Sequence, residues 1–533
     1  MNEASTARQD GCRLFFLFAP VFKDWPFLIA EEVKKLAGDV KVSGLVTGMP
    51  NTSRHVMRRA EEAGFGPIDH LGALERQWLS SPVPAERLED YEKMLGSAAI
   101  QKLIISDRHL GAGFVSGARL PRTPLATLAG DKEMRTRYLV GMLDYLKTHL
   151  ERERPDLVFC YAIAGAPAYA IAMLSEHLGI PFLRLTHSRV GARHVLDRSI
   201  LGLMSNVEAT YRAAATDPAV LANEMEPARQ LVRDFRERSE APQYVDFFRK
   251  LQKKNLSTAQ LLREFVSLAR ATLLPKTKAK EPSLRHPTHW ERAKHRTLLW
   301  YEARRLLRSG LFADPDSLPR SDYIYFPLHF DPEASTMVFA PFHTDQLAVI
   351  EALTKAAPAS LRVVVKEHIP MIGLRPPGFY ERLTRLPGVV LASPALDSFD
   401  LIKRSSVTVA ITGTAAWEAL LLGRPAVTIG AAPFNVVNPG IEHCPELTRL
   451  PEAISAALAR SEAADRETER FIAAILKESF DLPYELLWAN VEESRLPEQQ
   501  RIAGLIAQHI CRVTGVSTPL PAAAEARSAA SAS

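Results

Sequence analysis

Two short runs of β-branched residues, each cut off by a polar turn, constrain this 533-residue chain more than anything else in it. Val363–Val365 ends in Lys366-Glu367-His368-Ile369-Pro370, and Val407–Ile411 ends in Thr412-Gly413-Thr414. The second turn runs directly into a helical pattern, Ala415–Leu422, then a Gly423-Arg424-Pro425 turn and a further strand, Ala426–Ile429. Uninterrupted apolar strands alternating with helices fit only a parallel sheet covered on both faces. A strand, a small Gly/Thr turn and a helix N-terminus together also make an anion site, because backbone N–H groups and the helix dipole point at whatever lies above the turn. Open sheets of this kind bind ligands beyond the carboxyl ends of their strands. The segment therefore predicts a site for a phosphorylated small molecule.

The same alternation opens the chain. Residues 13–18 and 41–46 read as strands flanking a helix over Trp25–Leu36, and 134–152, 157–161, 166–178 and 182–185 read as helix, strand, helix, strand. A strand-like Leu103–Ile105 ending in Ser106-Asp107-Arg108 is expected between them. A chain of this length exceeds one hydrophobic core. The expected organisation is α/β, two Rossmann-like domains with an inserted basic helical arm and a C-terminal helix. The boundaries read as 10–204 for the first Rossmann-like domain, 205–320 for the helical basic arm and linker, and 321–478 for the second. Residues 479–515 read as C-terminal helices and 516–533 as a disordered Ala/Ser/Pro tail. Two such domains in tandem make a GT-B pattern, with the site in the cleft between them.

Charge is distributed unevenly. Residues 249–308 hold 16 Lys/Arg and 4 Asp/Glu, a net +12 inside a chain of net +5, which leaves −7 for the rest. Such a block fits an anionic partner, an acidic acceptor or an anionic membrane surface. Nucleic acid is not expected, since aromatic residues are sparse there (Trp290, Trp300, Tyr301) and no base-stacking pattern is present. The four cysteines are scattered without paired spacing, which suggests neither disulfides nor zinc and fits a reducing cytosol. The start, MNEASTARQDG, has no basic stretch ahead of an apolar one, so no secretory signal is expected. A cytoplasmic setting, with peripheral contact at the inner face of the membrane, is the resulting expectation.

Four stretches resemble the capsule polysaccharide biosynthesis family, which includes the Kdo transferases of bacterial capsule assembly. They are Tyr325–Thr336 with Gln346 after it, Val365–His368 with Pro370, Thr412–Thr414 with Glu418-Ala419, and Gly423–Pro425. Ile369 separates His368 from Pro370, which the family often has adjacent. The resemblance implies that the second domain holds a nucleotide-activated sugar, with a CMP-sugar the first guess. Lys366 and His368 would contact the donor phosphate, Thr412, Gly413 and Thr414 would offer hydroxyl and backbone donors, and Glu418 would accept from a ribose hydroxyl. Sugar transfer needs a base for the acceptor proton and donors for the leaving phosphate. Asp107, His187, Asp331 and Glu333 are the candidates for catalytic work, with Arg108, Arg189 and His329 beside them. Asp331 and Glu333 read equally well as caps of a helix near Ser335, and Asp107–Arg108 as an ion pair. No metal and no cofactor other than the sugar donor is implied. The expected activity is glycosyl transfer to a saccharide or glycolipid acceptor. A non-hydrolysing nucleotide-sugar epimerase and a non-catalytic nucleotide-binding scaffold are the alternatives.

Overall fold

The computed structural model describes residues 11–48, 50–84, 86–114, 119–238, 258–273, 283–320, 322–460, 463–488 and 495–516. The expected tail lies almost wholly outside them, as do Lys276, Lys278 and Lys280 of the basic block.

Thirteen named strands form two sheets. The first contains β1 (Cys12–Phe18), β2 (Val40–Val46), β3 (Ile68–His70), β4 (Leu157–Cys160), β5 (Phe182–His187) and β6 (Arg193–Asp197). The second contains β7 (Tyr323–Pro327), β8 (Arg362–Lys366), β9 (Val389–Ala392), β10 (Val407–Ala410), β11 (Ala426–Thr428) and β12 (Ile441–His443). Their orders are β13-β6-β5-β4-β1-β2-β3 and β12-β11-β10-β7-β8-β9, where β13 (Phe480–Asp481) is contributed by the end of the chain. The second sheet is parallel throughout, while the first ends in antiparallel β6 and β13. Counted from its own first strand, each sheet runs outward as 3-2-1-4-5, the order of a Rossmann fold. The α/β class with two Rossmann-like domains stands as read from the sequence.

In each sheet the strand order reverses between the first and fourth strands, β1/β4 and β7/β10. Helices there leave on opposite faces, so a crevice opens at the carboxyl edge. Strand interiors are apolar on both faces, as the double cover requires: β4 and β10 are buried at every residue.

The strand expected at Leu103–Ile105 is instead the last turn of a helix, Ser97–Ser106. Ile100, Leu103 and Ile104 are buried at three- and four-residue spacing against the first core. Three consecutive apolar residues do not separate a strand from a buried helix turn. Asp107 and Arg108 therefore follow a helix, not a strand.

The two helices ahead of the basic block belong with the second domain. Ser205–Thr216 and Met225–Arg238 share a core with Ala463–Glu478 and with the Thr414–Leu421 helix, through Val207, Tyr211, Val232, Trp417 and Phe471. The last helix, Leu496–Thr514, returns to the first domain and lies along Trp25–Ala37. Among the described residues no helix is long and apolar enough to cross a membrane.

Candidate functional site at the carboxyl edge of the second sheet

Three loops converge where the second sheet reverses. The first, 328–333, follows β7; the second, 367–371, follows β8; the third, 411–413, follows β10 and opens the helix Thr414–Leu421. A buried cation ties the first two together. The Arg375 side chain is fully buried; Nε donates to Glu367 Oε2 at 2.8 Å, and Nη2 donates to Glu367 Oε1 at 3.0 Å and to the His329 carbonyl at 2.6 Å. Nη1 lies 3.4 Å from Asp331 Oδ2. Tyr380 donates to Glu367 at 2.8 Å, Thr336 donates to Asp331 Oδ1 at 2.6 Å, and the Gln346 amide donates to Asp331 Oδ2. A buried charge is tolerated only when paired and hydrogen-bonded, and here every partner is supplied.

This network corrects the reading of Asp331 as a catalytic carboxylate. It is completely buried, and both its oxygens accept from protein donors. Its place is under the site, fixing the 328–333 loop. Glu367, which the sequence does not single out, is equally buried and is the main partner of Arg375. Nothing in the Gly373-Leu374-Arg375-Pro376 stretch signals a buried cation, because the residue that needs it lies eight positions earlier across a turn.

His329 joins the first loop to the third. The Thr412 N–H donates to His329 Nε2 at 3.2 Å, across the reversal from β7 to β10. Burial, with Arg375 and His368 nearby, pushes the ring down to about 3, so it stays neutral. The ring also explains Gly413. Its φ is −70°, so no left-handed backbone is required there. A Cβ at that position would sit 3.0 Å from His329 Nε2. The glycine is needed for a histidine packed beneath the turn.

Above this floor lie the groups that edge the cleft. The N–H groups of Gly413, Thr414 and Ala415 have no acceptor among the described residues, as expected for a first helical turn without a side-chain cap. Lys366 is half-buried at the end of β8, with Nζ 3.1 Å from Ser398 Oγ. The His368 ring opens to the cleft, yet the cleft walls exclude enough water to push it below its ordinary value. Thr412 is buried, and its hydroxyl donates to the Ser335 carbonyl at 2.7 Å, so it braces the turn.

Two carboxylates remain. Glu418 is 8% exposed, and burial pushes it up to about 7, against the pull of Thr414, Arg189 and Lys366. Glu333 is exposed within the cleft, holds the Ser335 hydroxyl at 3.1 Å, and is raised by desolvation against Arg189 and Arg108.

The first domain meets this edge through the β5–β6 turn. Trp417 Nε1 donates to the Arg189 carbonyl at 3.1 Å. Arg189 sits at φ +67°, an uncommon conformation for a side chain with a Cβ. His187 holds it there: Nδ1 accepts from the Arg189 N–H at 3.1 Å, and Nε2 donates to the Gly191 carbonyl at 3.1 Å. Both ring nitrogens are thus engaged within one turn. Burial, with His194 and Arg189 close, pushes the ring down to about 3. His187 therefore positions Arg189 and has no ring nitrogen left to act as a base.

Asp107 is also locked. It is 1% exposed and accepts from the N–H groups of His109 and Ala166 at 2.8 and 3.2 Å. Arg285 from the basic block donates to it at 2.9 Å, to Glu75 at 2.5 Å, and to Tyr138 at 2.6 Å. Burial opposes its ionisation, but Arg285 and His109 outweigh that and hold it well below the usual carboxylate range. Of the four catalytic candidates only Glu333 stands open to the cleft. Among the described residues no group of three or more His, Cys, Asp and Glu is placed to hold a metal ion.

Residues 321–447 match the family described as capsule polysaccharide biosynthesis protein. No curated protein matches the chain. Among solved structures, KpsC of Thermosulfurimonas dismutans, a β-Kdo 2,7 transferase, is 11% identical, with 67% of this chain and 89% of that one covered at a TM-score of 0.32. UDP-GlcNAc 2-epimerase of Neisseria meningitidis, bound to UDP-GlcNAc, is 12% identical, covering 88% and 99% at a TM-score of 0.23. A glycosyltransferase of Rickettsia africae is 9% identical, covering 94% and 99% at 0.26. Likenesses this distant carry no functional weight. The sequence match is of another kind: residues 321–447, which resemble the capsule polysaccharide biosynthesis family, span β7 to β12 with all three converging loops.

Proposed function

We propose that the protein is a GT-B glycosyltransferase of capsular or surface polysaccharide assembly. It transfers a sugar from a nucleotide donor, a CMP-sugar first, to a saccharide or glycolipid acceptor. The observation that carries this reading is the set of unfilled donors at the reversal of the second sheet. Three adjacent N–H groups at Gly413–Ala415, flanked by Lys366 and His368, face no internal acceptor. A phosphate is the group such a cradle suits.

In the mechanism, the donor phosphate lies over the Gly413 turn. Its growing negative charge, as the glycosidic bond breaks, is met by the helix N-terminus, Lys366 and the neutral His368 ring. Glu418 accepts from a ribose hydroxyl. Glu333 takes the proton of the acceptor hydroxyl as that oxygen attacks the sugar carbon. A carboxylate raised by desolvation is better matched to this task near neutral pH than an ordinary one. Arg189 and Arg108 reach the same space from the first domain and complement the acceptor side. No step calls on a metal ion, so activity is expected to survive EDTA; loss with EDTA and recovery with Mg²⁺ or Mn²⁺ would reverse that part of the reading.

A thermal-shift series with CMP-, UDP- and GDP-sugars is the direct test. A donor at about 100 times its Kd adds about 2.7 kcal/mol of stability. Gly413→Val should abolish the shift, because its side chain would drive into His329 and displace the turn. A normal shift in that variant would remove the turn from the site. Conversion of a UDP-sugar to its epimer without acceptor would favour the epimerase alternative.

A further inference from the structure

The helices Thr258–Leu273 and His289–Leu307 pair as a hairpin, with the Ser267 hydroxyl 3.3 Å from His289 Nδ1. The second helix has an inward face, Leu299, Ala303 and Leu306, that is buried against the second domain. Its outward face carries Trp290, Leu298 and Tyr301, at 62%, 46% and 58% exposure. The first helix adds Leu262, Phe265 and Val266, at 62%, 45% and 50%, spaced three and four apart on one face. A groove of about 640 Å³ runs along the first helix from Leu262 to Arg270 and is closed by His289 at the start of the second. Isolated exposed apolar residues are ordinary, but six on one paired element form a patch that water does not favour.

The charges around the patch point to the occupant. Arg263, Arg270, Lys294, Arg296 and Arg308 make no ion pair among the described residues. Apolar and aromatic side chains interleaved with unpaired cations match the boundary of an anionic bilayer. There, Trp and Tyr lie at headgroup depth, and Lys and Arg reach lipid phosphates. A second copy of this hairpin would bring like charges together.

We infer that the paired helices Thr258–Leu273 and His289–Leu307 are a docking surface for a phospholipid bilayer with anionic headgroups. It is held in fixed relation to the cleft. Gly373, at φ +85°, lets the backbone close on Leu299 and Ala303, where a Cβ would lie 3.0 Å from the Leu299 carbonyl and the Ala303 nitrogen. Arg285, just ahead of the second helix, pairs with Glu75 and Asp107 of the first domain. A glycolipid acceptor would therefore be offered to the cleft from one side of the molecule. The docking inference stands without the transferase reading.

The test is co-sedimentation of the full chain with vesicles of phosphatidylcholine alone or with added phosphatidylglycerol, at low and high salt. Wild type should pellet with the anionic vesicles only, and less as salt rises. Trp290→Ser with Phe265→Ser should weaken pelleting roughly tenfold or more. Arg263→Gln with Arg270→Gln and Lys294→Gln should weaken it on the order of 100-fold. All five substituted positions are exposed, so denaturation midpoints should match wild type. Absence of wild-type pelleting on anionic vesicles, or equal pelleting by both variants, overturns the inference. So does a concentration-dependent dimer that the Trp290/Phe265 variant abolishes, since the patch would then serve a second copy.

Discussion

The two domains put titratable residues at the same place, the carboxyl edge of a reversing parallel sheet, and use them in opposite ways. At the first edge Asp107 has Arg285 and three N–H donors, and His187 has both ring nitrogens occupied. At the second edge the buried set, Arg375, Glu367 and Asp331, is equally satisfied. Above it, however, lies a layer with hydrogen-bonding capacity to spare: the Gly413–Ala415 N–H groups, the His368 ring, and Glu418, which holds only the Thr414 hydroxyl. Position in the fold thus nominates residues, and partner accounting separates those that brace from those that bind.

The largest expected effect tests the braced side. Arg285→Ala strips the counter-charge from Asp107 and Glu75, each about fully buried, and should cost about 3–5 kcal/mol in urea unfolding. Nucleotide affinity should not change. A large loss of affinity with little loss of stability would make the first edge a binding surface and erase the contrast.

Next is Glu418. Its folded value of about 7 lies above the ordinary carboxyl range, so the folded state holds the proton more tightly. That contribution is complete below about pH 4.5 and is lost as pH rises through about 7, at most about 3 kcal/mol. Glu418→Gln should therefore match wild type near pH 5 and exceed its melting temperature above pH 7. Nucleotide binding should tighten with pH through the same window in wild type and be flat in the variant. A variant less stable at high pH would place Glu418 among the braces.

His368→Ala should weaken nucleotide binding by about 1.5–3 kcal/mol, the value of a hydrogen bond to a charged group, and leave stability alone. Calorimetry against the wild type measures both. The smallest effect belongs to His187→Ala, about 1 kcal/mol of stability for two exchanged hydrogen bonds. A pH–rate profile with the same limbs as wild type would confirm that His187 supplies no proton.

Much of the scaffold could be read before any coordinates. Runs such as Val363–Val365 and Val407–Ile411, bounded by Gly and Thr turns, can hardly be other than buried parallel strands, and β8 and β10 lie there. Leu103–Ile105 failed because three apolar residues carry no period. At the site, sequence placed Lys366, His368 and the Gly413 turn on one edge. It could not show that Asp331 and His187 were already engaged, because Arg375 lies 44 residues from Asp331 and the His187 bonds depend on the left-handed backbone of Arg189. Nor could it show that Glu418 is buried, at 8% exposure.

The path of the chain also bears on how the protein can be cut. It leaves the first domain after β6, builds the second, and returns so that β13 extends the first sheet and Leu496–Thr514 covers Trp25–Ala37. The Leu487 carbonyl accepts from Trp25 Nε1 at 3.3 Å, and Ile502, Ile506 and Ile510 fill the core beneath β1. The halves are consequently not separable at any single peptide bond. A stop codon near residue 478 would unfold the amino-terminal domain and spare the carboxyl-terminal one, so a truncation allele would report on the end of the protein farthest from it in sequence.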